Sequence, residues 1–280
     1  MTETATFIRN SIKDLYSPEE TRALVRLIME RVCGITTSQL LLGKGKEISD
    51  KKKSEIKQIV KELRLYKPIQ YILGETEFYG LTLKVNRAVL IPRPETAELV
   101  DRIVHDFQGQ SPYILDIGTG SGCIAIALAK HLPLANVSAI DVSPDALIVA
   151  SENAEANKVH VIFHKIDILS EENQLFSKEF DCIVSNPPYV MEKEKAEMEA
   201  NVLNYEPHQA LFVPDKDPLL YYRAIAKIGK KCLANGGKLY VEINALLGKE
   251  TVKLLHDEQY KYITCMKDLY GKERFIKATI

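Results

Sequence analysis

Four short segments of this 280-residue chain combine residue types that can do chemistry. The first is Asp116-Ile-Gly118-Thr119-Gly120-Ser121-Gly122, which follows an apolar run and precedes a helical pattern. Alternate glycines behind an acid let the backbone approach a ligand closely where a helix N-terminus begins, the mark of a nucleotide-type site. A dinucleotide fingerprint would need its third glycine at Cys123, and no Lys-Ser/Thr pair follows as in a phosphate-binding loop. A plain strand-to-helix turn needs fewer glycines. In the second segment, Asp141 ends the next apolar run, where a carboxylate can accept both hydroxyls of a ribose. Helix capping is its other reading, but Ser143 before Pro144 already offers a cap. The third, Asp167-Ile168, sets an acid and an apolar side chain where an adenine amino group and ring face could sit. The fourth is Asn186-Pro187-Pro188-Tyr189. Proline lacks an N–H, so this turn leaves carbonyl acceptors open; Asn186 adds another acceptor and Tyr189 a flat face. A planar NH2 group fits there, with its lone pair toward the glycine-lined site.

These segments need a scaffold that brings them to one edge. Apolar runs at Tyr113–Leu115, Val137–Ile140, His160–Phe163, Cys182–Val184 and Leu239–Ile243 read as strands, most separated by helical stretches such as Cys123–His131 and Asp145–Asn157. That alternation predicts an α/β region with a mainly parallel sheet covered on both faces. Before it, Pro94 starts a helix through Leu99, Val100 and Ile103, and Phe78 to Val85 around Gly80 suit a hairpin. The N-terminal part reads as helices: Ser17-Pro18 opens one that Gly34 ends, Gly43 and Gly45 follow the short segment 37–42, and Ser49 opens another whose Ile56, Ile59, Val60 and Leu63 form a stripe. The predicted boundaries are a helical domain at 1–74, a hairpin connector at 75–93 and a catalytic domain at 94–280.

With 46% hydrophobic and 27% charged residues, the composition is that of a globular protein. The longest apolar run, Cys123–Ala129, is far too short to cross a bilayer, and the N-terminal stretch lacks the basic start and apolar core of a signal peptide. A cytoplasmic location is expected. Five cysteines without a C-x-x-C pair and six scattered histidines predict neither a disulfide framework nor a metal site. Residues 1–75 carry 14 Lys/Arg against 10 Asp/Glu, and the remainder 23 against 28, so the two regions differ in charge. Lys51, Lys52 and Lys53 read as a solvated face rather than a nucleic-acid patch.

In order and spacing, Asp116 to Gly122, Asp141 and Asn186 to Tyr189 resemble the seven-stranded Rossmann-like methyltransferases that use S-adenosylmethionine on planar nitrogens. Leu90-Ile-Pro-Arg-Pro-Glu-Thr96, Tyr205-Glu-Pro-His-Gln-Ala-Leu211 and Asp268 to Arg274 narrow the resemblance to the peptide chain release factor glutamine methyltransferases, the HemK/PrmC family, over essentially the whole chain. It implies that fold, with a small helical substrate-recognition domain joined by a β-hairpin, and N5-methylation of the Gly-Gly-Gln glutamine of class 1 release factors. By the same resemblance, Gly118 to Gly122 line the cofactor's methionine and ribose, Asp141 holds the ribose, and Asp167 and Ile168 border adenine. Asn186 touches cofactor and substrate, while Pro187, Pro188 and Tyr189 shape the glutamine pocket. Asn186, Pro187 and Tyr189 are the expected catalytic set, and Arg93 and Thr96 are candidates to close over the cofactor. Many members carry an aromatic residue where Ile168 stands, so adenine stacking is expected to be weaker. After Leu211 the chain reads Phe-Val-Pro-Asp-Lys-Asp instead of a glycine-containing turn. Neither a membrane nor direct nucleic-acid binding is expected. Three alternatives remain open: a ribosomal-protein glutamine methyltransferase, an adenine amino methyltransferase, which would need a flipped base, and a noncatalytic cofactor-binding module.

Overall fold

The computed structural model describes residues 3–42, 47–170 and 180–280; Gly43 and Gly45 lie outside the described residues. The chain divides into two units, residues 1–73 with 200–205, and residues 74–199 with 206–280.

The first unit is helical, with helices Glu3–Ile12, Pro18–Cys33, Thr37–Leu41, Asp50–Leu63 and Ile69–Leu73. Ser17 Oγ accepts the Glu20 N–H at 3.2 Å, and Gly34 at φ 67° ends the same helix in the left-handed conformation that favours glycine. Ile8, Ile12, Ile28, Met29, Ile56 and Leu63 make the core. Lys51, Lys52 and Lys53 are exposed. The helix Ala200–Tyr205 clusters with this unit, and the Tyr205 hydroxyl donates to the Leu65 carbonyl at 2.8 Å. Nothing in the sequence pattern assigns that segment to the helical unit.

The second unit begins with a hairpin, β1 (Glu75–Phe78) and β2 (Leu81–Lys84). Its turn residues Tyr79 and Gly80 both have positive φ, 46° and 75°, which matches the twist of a two-residue hairpin. The hairpin is held by the buried Asn153: Oδ1 accepts the Lys84 N–H, and Nδ2 donates to the carbonyls of Lys84 and Ser121. Among the described residues the remaining strands are β3 (Tyr113–Ile117), β4 (Asn136–Asp141), β5 (Ile162–Lys165), β6 (Phe180–Ser185), β7 (Val190–Met191), β8 (Phe212–Val213), β9 (Leu233–Glu242), β10 (Lys261–Lys267) and β11 (Glu273–Thr279).

Seven of these form one sheet in the order β10-β11-β9-β6-β3-β4-β5. It is parallel from β9 to β5, and β11 runs antiparallel to both neighbours. Side chains alternate across it: Ile114 joins the core under helices Pro94–Phe107 and Cys123–His131, whereas Leu115 and Ile117 join the core under Leu220–Cys232 and Gly248–Asp257. Two predictions need correction. The third strand lies at Ile162–Lys165 and not His160–Phe163, and β10 and β11 were absent from the strand pattern. Residues of β10 are exposed or half-buried at the sheet edge, so its sequence mixes polar and apolar types without a clear period.

Candidate active site

Parallel register lines up the ends of the central strands. Ile117 pairs with Ile140 on one side and with Ser185 on the other, so Gly118, Asp141 and Asn186 follow at a common edge, where the strand order reverses between β3 and β6. Open α/β sheets bind ligands at such a switch point.

Gly118, Gly120 and Gly122 all have positive φ, 73°, 54° and 81°. At Gly118 and Gly120 an added Cβ would meet nothing within 4 Å, so conformation is what requires glycine there and open space adjoins the backbone. At Gly122 a Cβ would lie 2.7 Å from Ile126 Cδ1 and 3.1 Å from Ala150 Cβ, so the following helix also excludes one. Asp116 is fully buried behind the loop; its Oδ2 accepts from the Thr119 hydroxyl at 2.6 Å and the Ala125 N–H at 3.3 Å. Burial pushes this carboxyl up to about 7, against those two bonds.

Asp141 is held by main chain on both oxygens, Oδ2 by the Gly120 N–H and Oδ1 by the Ser143 N–H, each at 2.9 Å. Burial raises its pKa while these bonds oppose the shift. The capping reading belongs to Ser143, whose Oγ accepts the Ala146 N–H at 3.2 Å. Asp167 is exposed and accepts the Leu169 N–H at 2.9 Å, and Ile168 packs against the sheet core.

The Asn186 side is built from side chains. Asn186 Nδ2 donates to Thr96 Oγ1 at 3.1 Å, and Thr96 Oγ1 donates to Glu242 Oε2 at 2.7 Å. The Tyr189 hydroxyl donates to Glu242 Oε1 at 3.1 Å. Thr96 and Glu242 are each 1% exposed. Burial pushes the Glu242 carboxyl up to about 7, opposed by the Thr96 and Tyr189 bonds and the charge of Arg274. Arg274 is in turn held by Asp268, whose Oδ2 accepts from Nε at 3.2 Å and whose Oδ1 accepts the N–H groups of Tyr270 and Lys272.

A cavity of about 350 Å³ is bordered by Gly118 to Ser121, Asp141, Asp167, Ile168 and Asn186 to Pro188. Gly122 and Tyr189 are not among its lining residues. The Tyr189 ring packs against the sheet core and its hydroxyl is turned to Glu242. Arg93 lines the cavity and bonds Glu206 Oε1 at 2.7 Å, while Glu206 Oε2 accepts the Ile91 N–H at 3.1 Å. Two of the motif segments, around Arg93 and around Glu206, are thus joined, with Glu206 buried and Arg93 half-buried. Past Leu211, Phe212 and Val213 pair with Val190 and Met191, fixing that loop directly behind Tyr189. Sequence reasoning missed Glu242 and Glu206. A carboxylate inside the apolar run Tyr240-Val241-Glu242-Ile243 is the signal that marks the first; Glu206 lies in the segment Tyr205 to Leu211, where no local pattern marks it as buried.

Residues 95–211 match the family model of the methyltransferase small domain, and residues 6–74 that of the PrmC N-terminal domain. The release factor glutamine methyltransferase of Bacteroides thetaiotaomicron is 46% identical over 278 residues, 99% of each chain. That of Flavobacterium psychrophilum is also 46% identical, covering 96% of this chain and 95% of its own. Among solved structures, a methyltransferase from Pyrococcus furiosus superposes with a TM-score of 0.53 at 18% identity, over 71% of this chain and 89% of its own, a likeness of fold.

Proposed function

The chain belongs to the release factor glutamine methyltransferase family, and we propose that it transfers a methyl group from S-adenosylmethionine to the Gly-Gly-Gln glutamine of class 1 peptide chain release factors. The products are N5-methylglutamine and S-adenosylhomocysteine. One observation carries this reading: a single cavity is bordered on one side by a glycine backbone and on the other by Asn186, whose NH2 is engaged by Thr96 so that Oδ1 remains as an acceptor.

The residues present fit a nucleoside-bearing methyl donor. Gly118 and Gly120 leave open space where side chains would stand, and Asp141 is fixed with a lone pair still available on each oxygen. Gly118 to Ser121 would hold the methionine and ribose portion, Asp141 the ribose hydroxyls, and Asp167 with Ile168 the adenine. Gly122 supports the turn from behind. When bound, the donor supplies a methyl group on a positively charged sulfur, open to in-line attack.

An amide nitrogen is a weak nucleophile, because its lone pair is shared with its carbonyl. What the chain must contribute is alignment and acceptors placed before the reaction begins. Asn186 Oδ1 would accept one N–H of the substrate amide, and a carbonyl of the Asn-Pro-Pro segment the other, since proline offers no local donor to occupy it. Pro187 and Pro188 would wall the amide plane. Tyr189 acts from behind, through Glu242. The helical unit, with its positive charge, would recognise the body of the release factor. That substrate locates the reaction in the cytoplasm, and no described helix is long and apolar enough to cross a membrane.

The test is methyl transfer from labelled S-adenosylmethionine to a class 1 release factor, a ribosomal protein and duplex DNA in parallel, with the modified residue identified by mass spectrometry. Label on the Gly-Gly-Gln glutamine alone is the expected result. Label on adenine, with that glutamine untouched, overturns it.

A further inference from the structure

The hydrogen-bond chain behind Asn186 has a direction, and the direction is set at its buried end. Thr96 Oγ1 carries one proton and gives it to Glu242 Oε2, so toward Asn186 the same oxygen can only accept. Asn186 must therefore turn its NH2 to Thr96 and its Oδ1 away. If a proton sits on Glu242 Oε2 and is donated to Thr96, the threonine hydroxyl is released to donate to Asn186 Oδ1, and the acceptor is withdrawn. Resting on the glutamine-methylating reading above, we propose that Glu242 is a positioning residue whose ionised carboxylate polarises the Thr96–Asn186 chain, holding Asn186 Oδ1 as the acceptor for the substrate amide N–H.

The groups around Glu242 bear on its protonation. Thr96 and Tyr189 bond to it and the cation of Arg274 favours its charged form, whereas Glu95 opposes that form; the Tyr222 and Cys123 side chains sense its charge from their own helices. Burial outweighs the favourable contacts and brings the carboxyl to about 7, so turnover rises with pH through neutrality as the ionised form fills.

The experiment measures release factor methylation from about pH 6 to about pH 9 for wild type, Glu242→Gln, Thr96→Val and Thr96→Ser, with S-adenosylmethionine affinity by calorimetry. Glu242→Gln is expected to keep cofactor affinity, lose kcat by about tenfold or more at about pH 8, and lose the rising limb. Thr96→Val should show a similar loss, and Thr96→Ser, which restores the hydroxyl, should regain most of it. A packing role makes the opposite prediction, since valine keeps the shape of threonine and serine does not. Should Glu242→Gln fail to fold, the two Thr96 variants decide. An active wild type with Glu242→Gln unchanged in kcat and pH profile, or Thr96→Val outperforming Thr96→Ser, overturns this proposal alone. A wild type that leaves the release factor unmethylated overturns the functional reading as well.

Discussion

The glycine loop and the Asn186 pocket border one cavity but are built in opposite ways. The loop is main chain: three positive-φ glycines within five residues, pinned to Asp141 through the Gly120 N–H. The pocket is side chain: Asn186 is oriented by Thr96, 90 positions away, and Thr96 by Glu242, 146 positions away. A backbone cradle tolerates change in distant residues because its shape is set by local torsions. A relay of side chains does not, since removing one member leaves a buried polar partner unsatisfied. The loop is thus suited to hold a ligand, and the pocket to set the angle and polarity of a reacting group.

If that division is right, substitutions on the two sides fall on different kinetic constants. Asn186→Ala should lower turnover by the equivalent of roughly 2 to 4 kcal/mol while leaving S-adenosylmethionine affinity nearly unchanged, measured by steady-state kinetics beside calorimetry. Asp141→Ala should do the reverse, weakening cofactor binding by about 1.5 to 3 kcal/mol in a folded protein, because a charged acceptor for two hydroxyls is gone. Were Asn186→Ala to show its loss in affinity and Asp141→Ala in turnover, the division would be wrong.

Each side also has a carboxyl that burial pushes up to about 7, Asp116 behind the loop and Glu242 behind the pocket. The unfolded chain releases these protons at ordinary carboxylate values near 4, whereas the folded chain keeps them until about 7. In that window the native state binds more protons, so stability falls as pH rises from about 4 through about 7 and these groups contribute no further slope above it. The limiting slope is about 1.4 kcal/mol per pH unit for each group. Melting temperatures should fall across this range, and Asp116→Asn and Glu242→Gln should each flatten the decline. A melting temperature insensitive to either substitution across the window would contradict the assignment. The smallest effect is expected from Tyr189→Phe, which removes one donor to Glu242 but leaves the Thr96 link intact. Turnover should drop by the equivalent of about 0.5 to 1.5 kcal/mol, with the rising limb of the pH profile displaced upward.

Local signals carried much of the scaffold. Ser17-Pro18 and Gly34 mark a helix because a hydroxyl cap and a left-handed residue act within a few positions, and Tyr79-Gly80 marks a hairpin for the same reason. The edge strand β10 and its neighbour β11 were not legible, because strands with a partly solvated face need no continuous apolar run. Nor was the grouping of Ala200–Tyr205 with the helical unit, since nothing local distinguishes that helix from its sequence neighbours.

For the site itself, residue types and their order along the chain determined which side chains could border the cavity. Gly118, Asp141, Asp167 and Asn186 each follow a run read as a strand, and the ends of parallel strands in register share one edge. Only the tertiary structure decided how those groups are turned. The Tyr189 hydroxyl is turned to Glu242, and Asn186 presents oxygen instead of nitrogen because Glu242, on β9 and far along the chain, takes the proton of Thr96. An amide has nearly the same shape either way round, so its orientation is determined by which hydrogen-bond partners the fold brings to it.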